Sequence, residues 1–255
     1  PGVNPSLYNL DFGRLGDAGY SPYIIVPSSN GTNWYDEVTR NAPIQNHNVT
    51  ISGQGDASRY LLSMDYFDQQ AITEFQFFKR YSARLNSEFK VAKGIRVGEN
   101  IQLTYNDGNT VGSRADGDQN NNQEASVIAQ TFRPMSIIPV YTIKHGDFAG
   151  SAGGTGFGTL GNAKNPLAIL SRNQNNRGRG TSIFGNVYGE VDFLNDFTFR
   201  TSFGGGLNSS YYFNYPFIEY EHTENNANTT YGEGSFNTFS WIWTNTLAYR
   251  KQIGS

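Results

Sequence analysis

Several arrangements in this 255-residue chain have the residue types for recognised chemistry. Gly156, Gly158 and Gly161 stand at the spacing of a dinucleotide-binding turn, where glycines let the backbone approach a pyrophosphate. That turn needs a buried strand before it and a helix at once after it. Here a glycine-rich loop surrounds it, so the spacing reads as coincidence. Asp116, Asp118, Asn120, Asn122 and Glu124 offer oxygen ligands at alternate positions, as a calcium loop does, but Asn121 stands where an EF-hand turn needs glycine. His47, His145 and His222 lack metal-ligand spacing. Glu219 and Glu221 fall on one side of a possible strand extension, a solvated edge rather than an acid and base pair. There is no Gly-x-Ser-x-Gly elbow, and with no cysteine there is no thiolate to pair with a histidine. The sequence predicts no catalytic residue, no metal and no cofactor.

Recognition chemistry fits better. Trp34, Tyr141, Phe148, Tyr211, Tyr212 and Tyr215 lie in or beside long connectors, where aromatic rings can stack on sugars or peptide side chains while Asn and Arg supply directional hydrogen bonds. The same rings also serve loop packing or interfacial anchoring, and both uses stay open. A net charge of -3 argues against nucleic acid as a partner, which calls for a basic patch.

What positions these residues is a set of seven alternating stretches, at 46–53, 58–67, 80–90, 95–105, 181–193, 197–207 and 237–250. A pleated strand turns successive side chains to opposite faces, so the period reads directly as two faces. Tyr60, Leu62 and Met64 take one face of the second stretch, Leu85 of the third, Leu103 of the fourth, Val187 of the fifth, Phe203 of the sixth, and Trp243 and Leu247 of the last. Asn, Ser, Thr and even charged residues take the other, and Glu99 alone breaks the apolar side of the fourth. The links alternate between short (54–57, 91–94, 194–196) and long (68–79, 106–180, 208–236), which describes an up-and-down meander with two unlike ends. Tyr66, Phe67, Tyr105, Tyr211, Tyr212 and Trp241 fall near the long-loop ends, and Tyr60, Phe89, Phe193, Phe197 and Tyr249 near the short turns, the placing of two aromatic girdles.

The expected fold class is all-β, an antiparallel up-and-down transmembrane barrel segment with long external loops. A soluble sandwich, such as a glycan-binding or adhesin module, also alternates and would turn its apolar faces inward. A passive porin-like channel would share the barrel. Mean hydropathy of -0.53 is compatible with a barrel, because only alternate strand residues meet lipid. No apolar run is long enough for a spanning helix. Seven strands cannot close in lipid without open edges, so the sheet is expected to be part of a larger barrel, with 1–45 an external loop segment and 46–255 barrel wall. The chain starts without Met or a signal peptide, so any export signal is expected upstream or already removed. The link at 106–180 exceeds the length of a passive connection. Within it, helical spacing over 123–132 predicts a packing element, 166–170 starts another helical turn, and 173–180 reads as a solvated polar loop.

The succession Asn33-Trp34-Tyr35-Asp36-Glu37-Val38-Thr39-Arg40, Ala42-Pro43-Ile44-Gln45-Asn46-His47-Asn48, Tyr66-Phe67-Asp68-Gln69-Gln70, Phe78-Lys79-Arg80-Tyr81-Ser82-Ala83-Arg84-Leu85-Asn86, Ile137-Ile138-Pro139-Val140-Tyr141, Asn165-Pro166-Leu167-Ala168 and Phe184-Gly185-Asn186-Val187-Tyr188 resembles the SusC/RagA-like branch of TonB-dependent outer-membrane transporters. Ala71 and Glu99 depart from the family pattern. The resemblance implies a fragment of a plugged barrel of about 22 strands, in the outer membrane of a Gram-negative, Bacteroidetes-like cell. It further implies import of oligosaccharides or peptides under a SusD-like lipoprotein lid. The TonB complex would act through the N-terminal part absent from this sequence, and outer-membrane lipid would surround the wall.

Overall fold

The computed structural model describes residues 31–109, 127–141, 147–151, 163–215 and 229–251. Seven strands form one antiparallel sheet in sequence order: β1 Ile44–Gln54, β2 Ser58–Gln70, β3 Phe77–Ala92, β4 Ile95–Gly108, β5 Arg177–Phe193, β6 Phe197–Asn214 and β7 Gly232–Tyr249. Three short helices, α1 Trp34–Val38, α2 Val127–Gln130 and α3 Pro166–Asn173, belong to the long-loop end. The calcium-like run at 116–124, the glycine spacing at 156–161, Glu219, Glu221, His145 and His222 lie outside the described residues.

Register shows why alternation was legible. Directly paired residues share a face, and Ile51, Leu62, Leu85, Ile101, Gly185, Gly205 and Trp241 form one continuous row across all seven strands. The row above runs Val49, Met64, Ala83, Leu103, Ile183, Leu207 and Phe239, and the row below contains Tyr60, Val187, Phe203 and Trp243. All nine residues expected on the apolar side share this face, and most are well exposed, Trp243 at 65% and Met64 at 55%. From Phe197 to Leu207, ten residue steps at about 3.4 Å make about 34 Å of strand, or about 25 Å of height at the usual barrel tilt.

Each end of this band is edged by rings. Phe193, Phe197 and Tyr249 contact one another at the short turns, with centroids 5.6 and 4.8 Å apart. At the other end His47, Tyr66, Tyr81 and Tyr105 form a ladder across β1 to β4. Three girdle assignments need correcting: Phe67 and Tyr212 point to the polar face, and Trp241 sits within the apolar band rather than at its edge.

The strands run further at the long-loop ends than alternation indicates. β5 begins at Arg177, so Arg177–Gly180 is paired strand rather than solvated loop, and β6 continues to Asn214. Polar residues replace the apolar face there while the backbone ladder continues, so pairing outlasts the hydrophobic period. At the opposite end the turns are tight. Leu194 and Asn195 close β5 to β6 with φ of 49° and 64°, a left-handed pair that costs a leucine about 1 kcal/mol or more.

Candidate functional site

The sheet has no core of its own; the core lies at the long-loop end. Trp34 and Val38 of α1, Val127 of α2, Leu167, Ile169 and Leu170 of α3, and Ile138, Val140 and Ala149 form one buried cluster. Trp34 is only 3% exposed, and its indole Nε1 donates to the Met135 carbonyl at 3.4 Å. As a ligand contact it is therefore corrected to a packing residue. The helical spacing at 123–132 is realised in Val127–Gln130, but Phe132 leaves the packed side and is 80% exposed, because the helix ends at Gln130.

Polar side chains fasten this layer. Asn165 is 1% exposed and uses both ends of its amide: Oδ1 accepts from the Leu167 and Ala168 N–H groups at 3.1 Å each, capping α3, while Nδ2 donates to the Val140 and Ala149 carbonyls at 2.9 and 2.7 Å. Pro166 at the first turn costs no hydrogen bond. Arg40 spans α1 and the β2–β3 connector, donating to the Ala71 and Gln76 carbonyls and the Gln70 side chain. Asn109, 3% exposed, donates to the Phe75 and Gln174 carbonyls and accepts from the Phe77 N–H, joining the ends of β3, β4 and α3. Sequence reasoning missed Asn109, which belongs to no period; its place after a strand end is the one local signal.

The remaining aromatic candidates divide into three places. Tyr141 and Phe148 are bridged and stack at 5.2 Å, with the Arg172 guanidinium 5.7 Å from the Phe148 ring. Tyr211 and Tyr215 lie on the apolar-face side above the band, in a chain of rings with Phe213 and Tyr231. There the Tyr211 and Tyr231 hydroxyls both donate to Glu233 Oε2, at 2.8 and 2.7 Å. The carboxylate holds the Tyr231 phenol well above its ordinary range. Tyr212 lies on the opposite face, across Gly234. The structure therefore brings Tyr141 together with Phe148, and Tyr211 with Tyr215, but does not gather all six.

The polar face carries a wall of paired charges. Arg59 donates to Glu88 at 2.9 Å, and the Tyr188 hydroxyl donates to the same carboxylate oxygen at 2.8 Å. The Arg200 guanidinium lies 3.9 Å from the Tyr188 ring centroid and donates to Glu190, which Arg96 also meets at 2.9 Å; Arg96 then reaches Asp192. Tyr188 lies across Gly98, whose missing side chain leaves room for the ring. Further toward the long-loop end two register rows follow. One holds Arg84, Gln102, Phe184, Gly206 and Ser240, the next Asn86, Asn100, Asn186, Gly204 and Ile242. All of them but Gly206 border a cavity of about 520 Å³. Beside it, about 540 Å³ opens around Arg59, Glu88 and Tyr188. Among the described residues no cluster of His, Cys, Asp and Glu could hold a metal ion, and no helix is long and apolar enough to cross a membrane.

A single up-and-down sheet with an exposed apolar face between two rings of aromatics, a charged and amide-rich opposite face, and the packed loops at one end is a section of a transmembrane β-barrel wall. The comparisons agree. No protein-family model matches the chain. TonB-dependent receptor P3 of Formosa agariphila is 25% identical over 209 residues, covering 79% of this chain and 19% of that receptor. Receptor P26 of the same organism is 23% identical over 241 residues, covering 91% and 22%. Among solved structures, the RagAB peptide importer in its open-open state superposes with a TM-score of 0.65 at 18% identity over 96% of this chain and 26% of that one. Its closed-closed state gives 0.64 at 17% identity over 88% and 24%. The chain resembles TonB-dependent receptors in sequence and has the barrel-wall fold of these importers, spanning about a fifth of the curated relatives' length.

Proposed function

We propose that this chain is part of the barrel wall and external loop layer of an outer-membrane, TonB-dependent nutrient importer. The observation that carries the reading is the uncovered apolar face, about 25 Å tall by strand rise and tilt and bounded by rings at both ends. A soluble sandwich would need a second layer on Leu85, Phe203 and Trp243, and these are 38%, 51% and 65% exposed. In this reading Tyr60, Leu62, Met64, Leu85, Leu103, Val187, Phe203, Trp243 and Leu247 face lipid and the charged face lines the passage. Tyr141, Phe148, Tyr211, Tyr212 and Tyr215 are the aromatic groups left for contact with cargo or a surface partner. The likeness to the RagAB peptide importer in two states supports a peptide or similar oligomer as cargo, and the resemblance in sequence supports a SusD-like lipoprotein as the partner over the loop layer.

The test is uptake by intact cells with and without the gene for the full-length protein, in strains with and without functional TonB. Loss of uptake of peptide or oligosaccharide mixtures in both mutant backgrounds is expected. Unchanged uptake in both would overturn the assignment.

A further inference from the structure

In the importer reading the apolar face of the wall meets lipid, its long-loop end meets the outer leaflet, and a plug lies on the opposite face. The tyrosine ladder that edges the apolar band on β2 to β4 stops at Tyr105. On β5 to β7 the same register row holds Thr181, Ser209 and Asn237, all polar and without a ring. One row further out Arg179 pairs with Tyr211, and in the next Arg177 pairs with Phe213 and Phe213 with Glu233. From Ile183 to Arg179 four residue steps make about 14 Å of strand, or about 10 Å of height at the usual tilt. That sets both arginines at the headgroup layer, which extends about 5 to 8 Å beyond the hydrocarbon, with stems long enough to reach back into it.

The two cations are loosely held. Arg179 has Nε 3.6 Å from Asp107 Oδ1, beyond hydrogen-bond length, and that oxygen accepts no hydrogen bond among the described residues. Arg177 lies 4.8 Å from the Phe77 ring centroid and donates through Nη1 to the Gln174 and Asn176 carbonyls; among the described residues it meets no carboxylate. The rings beside them are fixed as faces, since the Tyr211 and Tyr231 hydroxyls both donate to Glu233. We propose that this corner of the outer wall is a binding site for a phosphorylated, acylated glycolipid of the outer leaflet. Its acyl chains lie along Ile183, Leu207 and Phe239, its phosphate meets Arg177 and Arg179, and its sugar rests on Tyr211. Each part of the ligand follows from a part of the wall. The apolar band directly below calls for acyl chains. Two guanidinium forks about 7 Å apart on one strand face can meet a single phosphate, which an arginine binds through paired N–H bonds. A tyrosine whose hydroxyl is already engaged offers its face, which suits the C–H side of a sugar ring. Tyr211 thereby serves the membrane rather than cargo, because it stands on the outside of the wall.

The site rests on the barrel-wall reading, and one set of measurements separates the two. Full-length protein, purified in detergent and stripped of lipid, is titrated with lipid A, with dephosphorylated lipid A and with phosphatidylglycerol, and bound lipid is counted by native mass spectrometry. Lipid A is expected to bind about tenfold more tightly than its dephosphorylated form, as a charge-assisted contact implies. Arg177→Gln combined with Arg179→Gln is expected to erase that preference, Arg177→Lys combined with Arg179→Lys to keep part of it, and Tyr211→Ala to weaken lipid A but not phosphatidylglycerol. A phosphate preference unchanged in the glutamine pair overturns the site, and so does phosphatidylglycerol binding as tightly as lipid A. If the glutamine pair fails to fold, Tyr211→Ala decides: equal loss of lipid A and phosphatidylglycerol overturns the site. Wild-type protein that alkaline carbonate extracts from outer-membrane vesicles refutes the barrel wall itself.

Discussion

Asn165→Ala is the sharpest perturbation of the loop layer. The amide makes four hydrogen bonds at 1% exposure, two as acceptor at the α3 N-terminus and two as donor to the Val140 and Ala149 carbonyls. Loss of the cap costs about 1 kcal/mol, and the Ala149 carbonyl, which loses its donor, costs about 1 to 3 kcal/mol more, while the Val140 carbonyl keeps the Ala149 N–H at 2.9 Å. Local relaxation recovers part of this, so about 2 kcal/mol is expected, enough to raise the opened population of the layer by about thirtyfold. The consequence is confined, because the strand ladder does not depend on this residue. Hydrogen exchange on the full-length protein in outer-membrane vesicles should show faster exchange at Leu167 and Ala168, with protection in β2 to β6 unchanged. Asn165→Asp keeps the cap acceptor but turns a carboxylate toward two carbonyls, so it should open the layer as much or more. Exchange at α3 unchanged in Asn165→Ala would refute the keystone role.

Three further expectations follow from the sheet. Phe203→Arg places a cation at mid-band on the apolar face and should cost about 2 to 4 kcal/mol, whereas Ser202→Arg on the polar face should cost far less; urea unfolding of the full-length protein in vesicles compares them. Gly205→Ala sets a methyl group on the Ser240 carbonyl oxygen and should weaken β6–β7 pairing, read as faster amide exchange along β7. Leu194→Gly relieves a left-handed backbone at the β5–β6 turn and should stabilise by about 1 kcal/mol or less, measured in the same urea titration.

Strand faces were legible because one register row after another keeps apolar partners together, and a pleat permits one assignment of faces. The short turns were located within a residue or two for the same reason, since alternation stops where Leu194 and Gly94 take positive φ. The long-loop ends were not legible. From Ser209 to Asn214 and from Arg177 to Gly180 the hydrophobic contrast is gone, and pairing there rests on backbone hydrogen bonds that no side-chain period reports. Trp34 looked like a displayed ring because α1 is five residues long, too short for a periodicity that would reveal its buried side. Some of the residues that carry the family resemblance, Trp34, Val38 and Arg40 and the Asn165-Pro166 pair, hold the loop layer together.

The wall itself is tested most directly by alternate-residue accessibility along β5, β6 and β7. This chain has no cysteine, so single cysteines at Asn186, Ser202 and Thr244, and at Val187, Phe203 and Trp243, can be placed in the full-length protein within outer-membrane vesicles. A water-soluble thiol reagent should label the first three, and a lipid-borne quencher should reach a fluorophore on the second three. Water access at Val187, Phe203 and Trp243, or no alternation between neighbours, would contradict a barrel wall.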